Sequence, residues 1–168
     1  MRGRVEYRLA QRSEAGLIAD MSRSLIEAGL GWSWTPDRVD LGIVSAETTV
    51  LVAACDQHVA GFAIMEFGAA HAHLNLLAVQ PRWQGAGIGR ALVAWLEDSA
   101  RVAGTFTVRL ELRAANEGAH RFYRRFGYTE VSRVAGYYRG RETAIRMVHD
   151  LRTAPALIRV PRTPPATR

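Results

Sequence analysis

Six residues, Gln84-Gly85-Ala86-Gly87-Ile88-Gly89, place three glycines at alternate positions between a strand-like run and a helix-like run. The run before them is Leu74-Asn75-Leu76-Leu77-Ala78-Val79-Gln80-Pro81; the run after them is Arg90-Ala91-Leu92-Val93-Ala94-Trp95-Leu96. Glycine at such positions lets the backbone curl until several N–H groups point inward. The following helix adds its own unpaired N–H groups and the positive end of its dipole. The result is an anion cradle, and its usual occupant is a phosphate. Two familiar phosphate loops are excluded by spacing. A dinucleotide fingerprint needs glycine where this chain has Arg90 or Leu92, and a P-loop needs a lysine, which the chain lacks altogether. The residues alone leave two readings: another kind of anion loop, or a glycine-rich turn built for close packing.

Some thirty residues later comes Asn116-Glu117-Gly118-Ala119-His120-Arg121-Phe122-Tyr123-Arg124-Arg125-Phe126-Gly127-Tyr128. The pattern Gln-x-x-Gly-x-Gly after an apolar strand and Pro81 resembles the pyrophosphate loop of the GNAT superfamily of N-acetyltransferases. The Asn116–Tyr128 segment resembles that superfamily's second motif, in the right order and at the right separation. Glu111-Leu112-Arg113-Ala114-Ala115-Asn116, Gly136-Tyr137-Tyr138 and Gly140-Arg141-Glu142-Thr143-Ala144-Ile145-Arg146-Met147 are similar to the bacterial ribosomal-protein-alanine N-acetyltransferases. The resemblance spans residues 72–148; the first seventy residues share only a diffuse likeness.

The resemblance implies acetyl-CoA as co-substrate. Its pyrophosphate falls to Gln84, Gly85, Ala86, Gly87, Ile88, Gly89 and Arg90, and its arm to Asn116 and the backbone of Leu77, Ala78 and Val79. A backbone N–H of that strand would hold the oxyanion. Glu111 matches the position of a general base working through a water, and Tyr123 that of the acid that protonates the departing thiolate. Each residue also has a plainer reading. Glu111 is a strand carboxylate able to pair with Arg109 or Arg113, Tyr123 a core aromatic beside Phe122 and Phe126, and Asn116 a helix cap. Tyr137 and Tyr138 fit an acceptor channel or edge packing equally. The implied acceptor is a protein N-terminal amine, with a small-molecule amine as the alternative and a non-catalytic acetyl-CoA-binding module as a third reading. Trp32 and Trp34 suit a small-amine pocket or ordinary core anchoring.

These groups need a scaffold. Val5 to Leu9 reads as a strand. Ser13 to Ala28 reads as a helix capped by Ser13, with Leu17, Ile18, Met21, Leu25 and Ile26 along its apolar stripe. Thr35-Pro36 starts a second helix. Thr49 to Cys55 and Val59 to Phe67 form a hairpin, and Leu74 to Val79 a fourth strand. Gly87 to Ala103 is a helix burying Ile88, Leu92, Trp95 or Leu96, and Val102. Thr107 to Arg113 is a strand, Glu117 to Phe126 a helix closed by Gly127, and two strands follow near Tyr128–Val134 and Thr143–Val148. The expected fold is a mixed α/β GNAT-like domain over residues 1–151, with about seven strands in one sheet and about four helices.

Composition adds exclusions. No apolar run approaches a membrane span, and the N-terminus lacks a signal-peptide core, so a cytoplasmic protein is expected. The net charge of +6 comes mainly from Arg152, Arg159, Arg162 and Arg168 in a proline-rich stretch, residues 152–168, expected to be a disordered tail. Without it 18 basic residues face 16 acidic ones, so no specific nucleic-acid partner is expected. The exclusive use of arginine suggests a GC-rich, bacterial genome. Cys55 is the one cysteine and reads as an inert core thiol. His71 and His73 alternate on a strand with no Cys or Glu cluster, and no metal is expected. A homodimer is left open.

Overall fold

Alternation of apolar and polar residues builds one seven-stranded sheet in the computed structural model, which describes residues 3–153. The strands are β1 (Val5–Leu9), β2 (Thr48–Cys55), β3 (His58–Phe67), β4 (Ala72–Val79), β5 (Thr107–Arg113), β6 (Thr129–Tyr138) and β7 (Glu142–Asp150). They lie in the order β1-β2-β3-β4-β5-β7-β6, and all neighbours are antiparallel except β4 and β5. The helices are α1 (Ala15–Leu25), α2 (Pro36–Val44), α3 (Ile88–Val102) and α4 (Glu117–Phe126). This is the expected mixed α/β architecture.

The sheet separates two apolar layers. On one face Ile88, Leu92 and Leu96 of α3 and Phe126 of α4 pack on Leu51, Met65, Val108, Leu110 and Met147. On the other, Ile18 and Met21 of α1, Val39 of α2 and Trp34 pack on Val52, Phe62 and Ile64. The first layer also encloses a polar knot. The Glu97 carboxylate, almost fully buried, accepts from the Tyr128 hydroxyl at 2.9 Å and pairs with His149 Nδ1 at 2.7 Å. It ties α3 to the last strand.

Several boundaries differ from expectation. The first helix opens with a 3-10 turn at Arg12–Glu14, so Ser13 lies inside it; the backbone N–H of Gln11 donates to Glu14 at 2.7 Å instead. It ends at Leu25, and Leu17 and Leu25 lie on its exposed side. In α3, Leu96 rather than Trp95 is fully buried, and Val102 is 77% exposed. Burial there follows Ile88, Leu92, Val93, Leu96 and Ala100; at about 100° per residue, Val102 falls roughly 120° from the centre of that stripe. Thr35 caps α2 as expected, accepting from the Arg38 N–H. Among the described residues no helix is long and apolar enough to cross a membrane. Beyond Thr153, the expected tail lies outside the described residues.

One irregularity shapes the centre of the sheet. Met65 pairs with Leu74 and Ile64 with Leu76, so Asn75 has no partner in β3 and forms a bulge. Ala72 and Leu74 therefore face α3 and α4, whereas Leu76 and Ala78 face α1 and α2. β5 pairs with β4 only at Ala72–Val108 and His73–Arg109. From the bulge onward the two strands diverge, leaving the β5-facing edge of Leu76–Val79 without a strand partner.

Candidate active site at the opening between two strands

The glycine loop lies at the end of that free edge. Gly85 and Gly87 have φ of +76° and +82°, the left-handed region that favours glycine, although a Cβ at either would meet open space. Gly87 is the N-cap of α3 and no side chain caps the helix, so the first-turn N–H groups face the loop's hollow. Gln84 Nε2 donates to the Val79 carbonyl at 3.0 Å, lashing the loop to the strand that precedes it. A groove of about 720 Å³ runs from Leu77–Val79 through the loop to α4, with Arg90, Arg121 and Arg125 at its wall. Its cationic side suits a phosphorylated ligand.

The α4 wall is held by local chemistry. Asn116 Oδ1 accepts from the Ala119 N–H at 3.1 Å, which makes Asn116 the helix cap while its side chain still lines the groove. Gly127, at φ +107°, ends the helix, and a Cβ there would press to 2.7 Å from His149. Tyr123 also lines the groove, only 8% exposed, with ring contacts to Phe122 at 5.1 Å and Tyr128 at 5.3 Å. Burial pushes its phenol pKa well up, so it stays protonated.

Glu111 reaches the opening from the opposite face. Leu110 and Leu112 turn into the layer that holds α3 and α4, so Glu111 points to the α1–α2 side. Its expected partners Arg109 and Arg113 are not the ones it meets. Arg113 instead donates to the Ala28 carbonyl at 2.6 Å and lies 3.2 Å from Glu142. Glu111 Oε2 sits 2.5 Å from His73 Nε2, and Oε1 lies 3.5 Å from Arg146 Nε. His73 Nδ1 is 2.6 Å from Asn75 Oδ1. The hydrogen bond from His73 holds the Glu111 carboxyl below its ordinary pKa, and the same bond raises the imidazole above its own.

Beside this cluster is a second hollow, of about 500 Å³, between Gly29–Leu30 and the β6–β7 turn with Tyr138, Arg139 and Arg141. Burial pushes the Tyr138 phenol up to about 12. Arg146 stacks over Tyr137, 5.7 Å from the ring centre. The segment between α1 and α2 is pinned by the buried carboxylate of Glu27, which accepts from Ser22 Oγ at 3.0 Å and from the Ser33 N–H at 2.9 Å. Ser33 Oγ and the Trp34 N–H bond to it too. Trp34 is buried in the core, and Trp32 donates its indole N–H to the Ala19 carbonyl at 3.2 Å; both act as anchors.

Residues 19–128 match the acetyltransferase (GNAT) family. The chain belongs to that family. The [ribosomal protein bS18]-alanine N-acetyltransferase of Escherichia coli K12 is 40% identical over 91 residues, 52% of this chain and 62% of the relative. The enzyme of the same name from Salmonella typhimurium is 37% identical over 95 residues, 55% and 64% of the two chains. The chain thus spans less than two thirds of the length of the curated relatives it matches. The crystal structure of the ribosomal-protein-S18-alanine N-acetyltransferase from Escherichia coli shares the fold, with a TM-score of 0.75 over 94% of this chain and all of that one, at 24% identity.

Within this GNAT domain, Leu77, Ala78, Val79, Gln84, Gly85, Gly87, Ile88, Gly89, Arg90, Asn116 and Tyr123 share one groove. Ala86 does not line it, and Glu111 sits across the sheet. Ile88 is buried, so only its backbone is available to a ligand. Among the described residues no group of three or more His, Cys, Asp or Glu is gathered as metal ligands would be. His73 is the site residue that sequence pattern did not assign. Its position on the strand was legible, but its partnership with Glu111 depends on the register of β4 against β5.

Proposed function

We propose that this protein transfers the acetyl group of acetyl-CoA to the N-terminal amine of a protein. The observation that carries the reading is the free β4 edge at Leu76–Val79, which leads directly into the N–H cradle at Gln84–Gly89. An extended pantetheine arm fits such an edge as an added strand would, and a pyrophosphate fits the cradle. Family membership supports acetyl-CoA as the donor. The relatives named for an N-terminal alanine support a protein N-terminus as the acceptor.

In this reading the amine enters from the α1–α2 face and the thioester from the α3–α4 face. An α-amino group has a pKa of ~7.7–8.0 and a lysine ~10.4, so deprotonation at pH 7 costs about 1 kcal/mol for the first and about 4.6 kcal/mol for the second. The N-terminal amine therefore needs only modest help, which Glu111 supplies through a water. Backbone N–H groups of Leu77–Val79 steady the oxyanion as the amine attacks. Tyr123, kept protonated by its burial, gives its proton to the departing sulfur.

Two measurements test this. Acetyl-CoA at a hundred times its dissociation constant should stabilise the fold by about 2.7 kcal/mol; no thermal shift at high concentration would sink the reading. Acetyl transfer to a panel of N-terminal peptides and small amines then assigns the acceptor. Turnover of small amines alone would replace the protein N-terminus with a small-molecule acceptor.

A further inference from the structure

We infer that His73 is a positioning residue which stores, by way of Glu111, the proton removed from the acceptor amine. The inference rests on the acetyltransferase reading above and extends it to one residue of this chain. Two observations carry it. His73 and Glu111 face the same side of the sheet from the two strands that part just beyond them, and their side chains meet at 2.5 Å. The other ring nitrogen is also engaged, at 2.6 Å from Asn75 Oδ1.

The second observation fixes which nitrogen changes charge. Nδ1 donates its proton to Asn75 Oδ1 whether His73 is neutral or a cation. Nε2, the nitrogen that faces Glu111, is therefore the one that gains and loses a proton. In the cation both ring nitrogens donate, one to the amide oxygen and one to the carboxylate.

The charges around the imidazole favour its protonated form without fixing it. Glu111 faces it from β5 and Glu66 lies opposite in register on β3. Arg109 is opposite on β5, and Arg146 of β7 approaches the far oxygen of Glu111. Two carboxylates thus oppose two guanidinium groups, and the one in direct contact is Glu111.

The proton count closes. Two protons leave the acceptor nitrogen for each acetyl group moved. The ammonium gives the first through Glu111 to neutral His73, and the freed lone pair forms the C–N bond to the thioester carbon. As the C–S bond breaks, the sulfur takes a proton from Tyr123, and the second proton from nitrogen restores that tyrosine. The products are an amide, a thiol and one proton, which His73 returns to solvent.

The test joins a titration that needs no substrate to a pH profile. Imidazole NMR should show His73 titrating above the ordinary histidine value in the wild type and falling back in Glu111→Gln. The acidic limb of kcat at saturating acceptor should follow that titration. In His73→Gln the limb should move down towards the carboxylate range, with kcat lowered at least tenfold and coenzyme A affinity, measured calorimetrically, unchanged. A His73 titration indifferent to Glu111→Gln, or the same acidic limb in His73→Gln, would overturn the inference. A wild type inactive towards every amine would overturn the functional reading instead, and the titration would still decide whether His73 and Glu111 share a proton.

Discussion

Glu111 and Tyr123 approach the same opening from opposite faces of the sheet, one from β5 on the α1–α2 side and one from α4 on the other. Paired strands would wall them off from each other. They can act on one substrate because β4 and β5 stop pairing after His73 and Arg109. The division of labour proposed for them, base on one side and acid on the other, has its origin in that divergence.

Replacing Tyr123 with Phe removes the hydroxyl and keeps the ring that packs on Phe122 and Tyr128. Turnover should fall by roughly 10²–10⁴, with coenzyme A affinity and thermal stability close to wild type. A steady-state assay beside calorimetry separates the two effects, and an unchanged kcat would return Tyr123 to a packing role.

Gly87→Ala tests the cradle through its backbone. The new methyl meets open space, so the cost lies in holding a non-glycine residue at φ +82°, about 1 kcal/mol. Urea unfolding should show that loss. If the loop relaxes to escape it, coenzyme A binding should weaken as well, which calorimetry would register.

The His73–Glu111 pair makes stability depend on pH in a definite direction. The imidazole is raised above its ordinary 6.5, so its contribution is full below that value and is lost as pH climbs through the raised pKa. The carboxyl is lowered from 4.5, so its contribution is full above that value and is lost as pH falls through the lowered pKa. The excess stability of wild type over His73→Gln should therefore form a plateau between these two ordinary values and decline on both sides. Denaturant unfolding across that range checks the shape. A difference that keeps growing above pH 8 would contradict the pairing.

Glu27→Ala should loosen the segment between α1 and α2. Its carboxylate gathers Ser22, Ser33 and Trp34, and its loss leaves their donors unpaired in a buried setting; each orphan costs about 1–3 kcal/mol. Because that segment borders the second hollow and not the glycine groove, KM for the acceptor should rise several-fold with KM for acetyl-CoA little changed. Paired substrate titrations provide the comparison.

What could be read from sequence was whatever local chemistry dictates. Gly85, Gly87 and Gly127 sit at left-handed turns, Asn116 and Thr35 at helix starts, and Pro36 in a first helical turn; each is a one- or two-residue preference with a physical cause. The alternation of β5 correctly placed Glu111 on its polar face. The partners of Glu111 were not legible, because they depend on which residue of β4 lies alongside. Val102 was misplaced for a similar reason: an apolar residue in a final turn looks like stripe, and only the direction of the sheet shows otherwise. Glu27 gave no signal at all, since a buried carboxylate is recognisable only once its donors have been folded around it.

The unpartnered Asn75 has one more consequence. It works as a parity change within β4: even-numbered side chains serve one layer before it and the other layer after it. Deleting that single residue would leave Leu76 and Ala78 on the α1–α2 side and Leu77 and Val79 on the other, because strict alternation from Leu74 already places them there. What the deletion would remove is the bulge from which β4 and β5 part, and with it the amide that meets His73 Nδ1. The extra residue thus serves the opening between the strands and not the packing of the two layers.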